Sequence, residues 1–301
     1  MQIFITGAAG FIGGSVAARL LAAGHSVRGL VRQPQQAERI AALGVVPVLG
    51  SLDDAALLAA EAAAADAVVN AASSDHRPSV EAMLGALAGS GKAFIHTSGS
   101  SVVGDDARGA WASEQVFDEA TPMAPAPEKA ARAALDRLIL EAAGRGVRPV
   151  ILCNTMIYGN GLGLARDSVQ IPLLARQARQ SGIARHVGRG LNVWSNVHIE
   201  DVAELYLLAL QKAPAGSFWF VENGEASYAQ ITAAIAQRLG LPAAQDWPVE
   251  DAIAAWGFGH AVYSFGSNSR VSAARARREL GWAPRHASVT EWILQALPVE
   301  G

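Results

Sequence analysis

The chain has 301 residues, a net charge of −3 and 51% hydrophobic residues, which is enough for a large core and for one large or two modest domains. This charge balance does not favour a nucleic-acid or membrane partner, and no apolar stretch is long enough to span a bilayer, so we expect a small-molecule partner. The single cysteine, Cys153, lies in an apolar run, which predicts a buried thiol, no intrachain disulfide and a cytoplasmic location.

The chain begins with the pattern of a strand, a glycine turn and a helix. Residues 2–6 are β-branched or aromatic for the most part, and three glycines follow at the spacing G-x-x-G-x-x-G. The first glycine permits a tight turn, the second lets backbone N–H groups approach a pyrophosphate, and the third lets the helix pack closely on the sheet. The pattern predicts a dinucleotide site. Its predicted contacts are Gly7, Gly10, Phe11, Ile12 and Gly13.

Strands alternate with helical patterns of about ten residues along the first half of the chain, which is typical of parallel sheets with right-handed crossovers. The further predicted strands are 25–31, 45–49, 67–71, 92–97, 147–153 and 218–221, and the predicted helices after the first are 34–43, 53–63, 78–88, 127–143 and 201–210. Ala71, at the end of the fourth strand, is a further predicted cofactor contact. The predicted fold is α/β, a Rossmann-type doubly wound parallel sheet with a smaller C-terminal α/β substrate lobe.

The pattern also predicts a division into two domains. The dinucleotide-binding domain comprises residues 1–160, with 191–221 returning to it, and the substrate-binding lobe comprises 161–190 and 222–301. The polar, proline-rich segment 98–127 is predicted to be a long loop, and loops of that length are usually functional. Ligands of open α/β sheets bind at the carboxyl ends of the strands, so we expect the lobe to face that edge.

The residue at the end of the second strand bears on the choice of dinucleotide. Sites that prefer NAD carry an acidic residue there, which binds the ribose 2′-hydroxyl. Residues 29–33 contain no Asp or Glu, but they contain Arg32, whose planar guanidinium can pair with a 2′-phosphate. This predicts NADP as the cofactor. NAD is the alternative, with Arg32 a solvated surface residue.

Five stretches of the sequence resemble the extended short-chain dehydrogenase/reductase superfamily, which includes nucleotide-sugar epimerases and dehydratases. They are 6–13, 96–104, 157–159, 194–203 and 278–284. The resemblance implies a Rossmann domain that binds the nucleotide, a C-terminal lobe that selects the substrate, and a homodimer as a possible assembly.

The sequence departs from that superfamily at the catalytic positions. The superfamily uses a Ser or Thr after the fifth strand and a Tyr-x-x-x-Lys pair on the next helix, where the lysine lowers the tyrosine pKa. Residues 1–152 contain no tyrosine. Matching 132–136 to the superfamily's Lys-x-x-Ala-Glu puts Arg132 at the lysine position and Glu128 at the tyrosine position, while the serine position falls on Gly99. The sequence therefore resembles an atypical member.

Four residues are candidates for the missing roles. Glu128 can carry a proton if it is desolvated, Ser98 can donate a hydrogen bond to a substrate carbonyl or the cofactor, and Tyr158 can replace the missing acid. Arg132 can hold the nicotinamide ribose. Each has a structural alternative: a favourable charge in the first helical turn, a serine that starts a loop, a packed tyrosine, and an arginine paired with Asp136.

These observations lead to two functional predictions. The first is an NADP-dependent oxidoreductase or epimerase-like enzyme that acts on a small organic substrate. The alternative is a catalytically silent dinucleotide-binding protein that senses redox state or acts as a scaffold.

A second helix register, with Lys129 at the lysine position and Pro125 at the tyrosine position, fits the downstream spacing less well. No Cys/His cluster has metal-ligand spacing, so no metal site is predicted.

Overall fold

The computed structural model describes residues 1–299. The strands are β1 (Gln2–Thr6), β2 (Ser26–Val31), β3 (Val46–Leu49), β4 (Ala67–Asn70), β5 (Ala93–Gly99), β6 (Arg148–Asn154), β7 (Met156–Tyr158), β8 (Arg185–Val187), β9 (Val193–His198), β10 (Ser217–Val221), β11 (Glu225–Ser227) and β12 (Gln245–Trp247). The helices are α1 (Phe11–Ala22), α2 (Pro34–Ala41), α3 (Ala55–Ala64), α4 (Arg77–Leu87), α5 (Ala130–Glu141), α6 (Gln170–Ser181), α7 (Ile199–Lys212), α8 (Tyr228–Leu239), α9 (Val249–Trp256), α10 (Ala274–Leu280) and α11 (Val289–Ala296).

A parallel sheet in the order β10-β6-β5-β4-β1-β2-β3 forms the centre of the fold. The predicted Rossmann-type sheet is confirmed, with small differences at the strand ends. The chain moves from β1 to β2 and β3 on one side and to β4, β5 and β6 on the other. The switch point therefore lies between β1 and β4, whose carboxyl ends meet where Thr6 pairs with Asn70. Open α/β sheets bind ligands at such a point.

Alternation along the strands gives the sheet two apolar faces. Phe4 and Phe94 point to the face covered by α3, α4 and α5, whereas Ile5 and Ile95 point to the face covered by α1 and α7. These four side chains are fully buried. Burying each stabilises the fold by about 1.5–3 kcal/mol. Both faces are covered, as expected for a parallel sheet.

A second hydrophobic cluster lies around α6, α8 and α11, and it includes Tyr228 and Phe265. The small sheets β7-β9-β11 and β8-β12 border it. In the central part of the fold, α7 packs on α1 and β10 pairs with β6. The division into a dinucleotide-binding and a substrate-binding domain stays a prediction. None of the helices in residues 1–299 has the length and hydropathy that crossing a membrane requires.

The predicted long loop connects β5 to α5. It begins with a 3₁₀ turn at Ser100–Val103 and ends with another at Pro127–Lys129. Between these turns it lies against the C-terminal part of the chain. Phe117 forms a bridge with Val271, and the Asp105 carboxylate accepts hydrogen bonds from the backbone and side chain of Asn268. The loop is thus held between the carboxyl edge of the sheet and the segment after α9.

Candidate functional site

The turn after β1 needs glycine at two positions. Gly7 has φ +74°, in the left-handed region, and its carbonyl oxygen accepts a 2.8 Å hydrogen bond from Gly10 N. A Cβ on Gly7 would lie 2.8 Å from the Ala72 Cα, and a Cβ on Gly13 would lie 2.3 Å from the Gly7 oxygen. Both distances are below van der Waals contact. The turn therefore brings α1 against the strand end so closely that side chains are excluded.

The N-terminus of α1 opens at this turn. Gly10 is the N-cap, no side chain caps the helix, and its first turn contains no acidic residue. The first N–H groups of a helix lack intrahelical acceptors and carry a partial positive charge. Because Gly10 N already donates to the Gly7 oxygen, the N–H groups that follow it at the helix start, those of Phe11, Ile12 and Gly13, are the predicted pyrophosphate contacts.

A cavity of about 590 Å³ adjoins the glycine turn. Four predicted cofactor contacts line it. They are Gly7, Gly10, Arg32 and Ala71. Arg32 is exposed at the end of β2. Sequence reasoning missed Asp53, which reaches the same cavity from the loop after β3 and lies 3.2 Å from the His76 ring. Its position after a parallel strand was the available signal, because such strands share one carboxyl edge.

The loop after β4 is fixed by Thr6. The Thr6 hydroxyl donates to Asn70 Oδ1 at 2.6 Å and accepts hydrogen bonds from the backbone N–H groups of Ala71 and Ala72. Asn70 Nδ2 lies 3.0 Å from His96 Nδ1, so that ring nitrogen accepts. Burial lowers the pKa of His96 to about 4, which keeps the ring neutral. The network holds Ala71 at the edge of the cavity.

Ser98 is buried and is not among the residues that line the 590 Å³ cavity. It is 3% exposed, and its hydroxyl donates to Asp136 Oδ2 at 2.7 Å. Burial raises the pKa of Asp136 to about 6 against the opposing effect of this hydrogen bond. The predicted hydrogen bond from Ser98 to a substrate carbonyl would therefore have to replace the existing hydrogen bond from Ser98 to the buried Asp136 carboxyl. Ser101, which is half-buried, is the serine of this loop whose hydroxyl accepts a hydrogen bond from Arg132.

Arg132 reaches the end of β5, as the register that aligns it with the family's lysine predicts. Its guanidinium binds the Asp75 carboxylate with two hydrogen bonds, of 2.8 and 2.5 Å, and donates to Ser101 Oγ at 3.1 Å. A Cβ on Gly99 would lie 3.3 Å from Arg132 Nη1. The alternative pairing with Asp136 is not formed. Instead, the hydrogen bonds from Arg132 lower the pKa of Asp75.

Glu128 lies on a second cavity, of about 500 Å³. It is exposed, and the Tyr263 phenol, which lines the same cavity, lowers the Glu128 pKa. The condition for proton transfer by Glu128, desolvation, is therefore not met. The cavity also involves the long loop and the segment after α9. Its further lining residues include Val103, Gly104, Asp105, Asp106, Phe117 and Arg270.

Tyr158 is not brought together with the other candidates. It is fully buried, and its hydroxyl donates to the His286 carbonyl at 2.9 Å. It lines neither the 590 Å³ nor the 500 Å³ cavity. Burial raises its pKa far above that of a free phenol. This position does not match the predicted replacement acid, and it agrees with the structural alternative of a packed tyrosine.

One group within residues 1–299 brings possible metal ligands together, which the sequence did not indicate. Ligand atoms of His198, Glu200 and His286 lie within 4.8 Å of one another. The two rings are stacked, with centroids 3.8 Å apart, and His286 Nδ1 lies 3.1 Å from Asp201. Stacked imidazoles direct their ring nitrogens along parallel planes and not toward one ion. The cluster instead connects the C-terminal segment to the start of α7.

Sequence comparison identifies a family and several relatives of this chain. A family model described as "NAD dependent epimerase/dehydratase family" matches residues 3–219. An uncharacterised protein of Schizosaccharomyces pombe is 32% identical, covering 96% of this chain and 97% of that protein. The 4-hydroxy-2-methyl-3-oxo-4-farnesyl-3,4-dihydroquinoline-1-oxide ketoreductase of Stigmatella aurantiaca is 28% identical over 99% of this chain and 97% of its own length.

Solved structures share the fold. A dTDP-glucose 4,6-dehydratase from Streptomyces venezuelae, with NAD and TYD bound, superposes with a TM-score of 0.78 at 22% identity, covering 98% of this chain and 95% of that one. The family match and the glycine turn together support a nicotinamide dinucleotide as cofactor. The chain belongs to the NAD dependent epimerase/dehydratase family.

Proposed function

We propose that this protein is an NADP(H)-dependent oxidoreductase that reduces a carbonyl group of a small organic molecule. The observation that carries the proposal is the 590 Å³ cavity, which joins the glycine turn to Arg32. The ketoreductase relative, which aligns along nearly the whole chain, supports the direction of the reaction. The proposal also rests on Arg132 and Ser101, whose polar groups meet at the end of β5.

The residues present fit a phosphorylated dinucleotide. The start of α1 would hold the pyrophosphate, because the absent side chains of Gly7 and Gly13 let the helix begin directly against the end of β1. Arg32 would pair with the 2′-phosphate, and Ala71 would border the nucleotide at the β4 edge. Bound reduced nicotinamide supplies a hydride.

Arg132 would hold the ribose hydroxyls at the reacting end. A guanidinium stays charged at every relevant pH and offers several donors in a fixed plane. Asp75 occupies two of these donors, so it orients the group, while Nη1 is directed at Ser101. Arg132 therefore positions and does not transfer protons. The proton must come from another group.

The charges around the 500 Å³ cavity point to the substrate class. Asp105, Asp106 and Glu128 line it, of which Asp106 is paired with Arg108 at 2.8 Å, and the arginine in its wall, Arg270, is bound to Glu225 at 2.6 Å. Carboxylates repel a diphosphate, and Arg270 already has a counter-ion. We therefore propose an uncharged carbonyl compound as the substrate, in contrast to the nucleotide ligand of the dehydratase neighbour.

Replacing Arg32 tests the cofactor assignment. Arg32→Ala removes the partner of the 2′-phosphate, so NADPH affinity is expected to fall by about 10- to 100-fold, as for loss of a charge-assisted hydrogen bond. NADH affinity should not change. Arg39→Ala, an exposed arginine on the neighbouring α2, is the matched control and should bind both dinucleotides like the wild type. Equal wild-type dissociation constants for NADPH and NADH would contradict the assignment.

One observation favours a second function. The superfamily's serine and tyrosine positions are occupied by Gly99 and Glu128, so the usual proton-transfer groups are missing. A catalytically silent protein that binds NADP(H) as a redox sensor or scaffold needs none of them. Such a protein would bind the dinucleotide with the same dependence on Arg32 but would not turn over any carbonyl compound.

A further inference from the structure

The tyrosine that the superfamily uses has one possible substitute in this chain. The sequence contains four tyrosines, and all lie within residues 1–299. Tyr158, Tyr206 and Tyr228 are buried, with hydroxyl groups hydrogen-bonded to protein atoms. Tyr263 is half-buried and lines the 500 Å³ cavity. Among the tyrosines, it alone presents its phenol to a cavity.

Tyr263 meets the helix that would carry the missing tyrosine. It lies on a π-helical turn, Gly259–Ser264, and it lines the 500 Å³ cavity together with Glu128. Glu128, which the superfamily register puts at the tyrosine position, lies in the 3₁₀ turn that leads into α5, four residues before Arg132. Arg132 in turn lies against Gly99. The C-terminal segment thus brings a phenol to the position from which the helix lacks one.

Charged groups act on the Tyr263 phenol from both directions. The Glu128 carboxylate raises the pKa of Tyr263, and Asp106 acts in the same direction, so the phenol is protonated at neutral pH. Arg108 acts in the opposite direction. Lys129 Nζ lies 5.5 Å from the centre of the Tyr263 ring, where its charge would stabilise a phenolate.

We propose that Tyr263, which lies beside Glu128 on the 500 Å³ cavity, is the catalytic proton donor. The inference rests on the proposed carbonyl reduction. As the hydride adds to the carbonyl carbon and the C=O π bond breaks, the Tyr263 O–H bond breaks and its proton forms the new O–H bond of the alcohol. The substrate is reduced by two electrons and the dinucleotide is oxidised. The Tyr263 phenolate then takes a proton from water at its exposed edge.

The kinetic test compares Tyr263→Phe with Tyr206→Phe. Loss of a general acid lowers kcat by about 10²- to 10⁴-fold, and we expect this for Tyr263→Phe with an unchanged NADPH dissociation constant. Tyr206→Phe removes a hydroxyl from the core and should keep the wild-type kcat. If the wild type reduces a carbonyl compound and Tyr263→Phe matches its kcat, the role of Tyr263 is overturned.

A second test needs no substrate or cofactor. Tyrosinate absorbance, followed as the pH rises, should show Tyr263 ionising first, because burial raises the pKa of Tyr206 to about 12 and those of Tyr158 and Tyr228 further. Tyr263→Phe should delete this first transition. Glu128→Gln should shift it to lower pH, because the carboxylate that raises the Tyr263 pKa is gone.

The two tests separate failure of this inference from failure of the proposed function. An unshifted first transition in Glu128→Gln overturns the coupling of Tyr263 to Glu128, whatever the enzyme reduces. A wild type that binds NADPH but reduces no carbonyl compound overturns the proposed function, and with it the role of Tyr263 as a proton donor. Loss of kcat in Tyr263→Phe together with the shifted transition supports both.

Discussion

Gly13→Ala is expected to weaken NADPH binding by at least about 100-fold, which is the scale expected for a 1 Å misplacement of binding groups. The reason is steric. A Cβ at this position would lie 2.3 Å from the Gly7 carbonyl oxygen, which is backbone and cannot swing aside as a flexible side chain can. The helix start must therefore move away from β1. Its N–H groups then no longer meet the pyrophosphate together.

Gly85→Ala is the matched control for this prediction. Gly85 is an exposed glycine within α4, and a Cβ there would meet no atom within 4 Å. Alanine has the better helix propensity, so this variant should bind NADPH normally and gain about 0.5–1 kcal/mol in the free energy of unfolding. Calorimetric titration and denaturant unfolding measure both quantities. Wild-type NADPH affinity in Gly13→Ala would contradict the assignment of the glycine turn.

Arg132→Ala is expected to lower kcat/KM by about 10- to 100-fold, as for loss of a hydrogen bond from a charged group. The change removes the donors aimed at Ser101 and the proposed ribose contact, and it leaves Asp75 without its bidentate partner. Arg132→Lys restores the superfamily's residue and the charge, but not the planar fork, so recovery should be partial.

Arg137→Ala serves as the control for Arg132. Arg137 lies on the same helix, α5, but is exposed and lines neither of the two cavities described above. It should keep the wild-type kcat/KM. Steady-state kinetics with NADPH and a carbonyl substrate measure the difference. Equal losses in the two variants would show that general charge on the helix, and not the position of Arg132, matters.

The sheet and the glycine turn were predictable because their signals are local. Residues 2–13 combine a strand, a glycine spacing and a helix start within one short stretch, and the alternation of strands and helices continues to β6. Arg132 lies against Gly99 at the end of β5, where spacing along one helix puts it. Its partner is Asp75, from the loop after β4, and not Asp136, with which the structural alternative paired it.

The rest of the site depends on tertiary contacts. Tyr158 follows β6 and was expected near the cleft, but β7 directs it into the core, where it packs against Trp292. Tyr263 gave no motif of its own, because its relation to Glu128 exists only once the segment after α9 folds against the long loop. The sequence singled out Ser98, but the folded chain turns that hydroxyl to the buried Asp136 and leaves Ser101 to accept from Arg132.

NADPH oxidation, followed by absorbance with a panel of carbonyl compounds, tests the central claim most directly. The panel should contain uncharged aliphatic and aromatic ketones together with nucleotide sugars. We expect the wild type to oxidise NADPH in the presence of at least one uncharged ketone and in the presence of no nucleotide sugar. Tight NADPH binding without turnover of any ketone would contradict the reductase assignment and would favour the silent dinucleotide-binding protein.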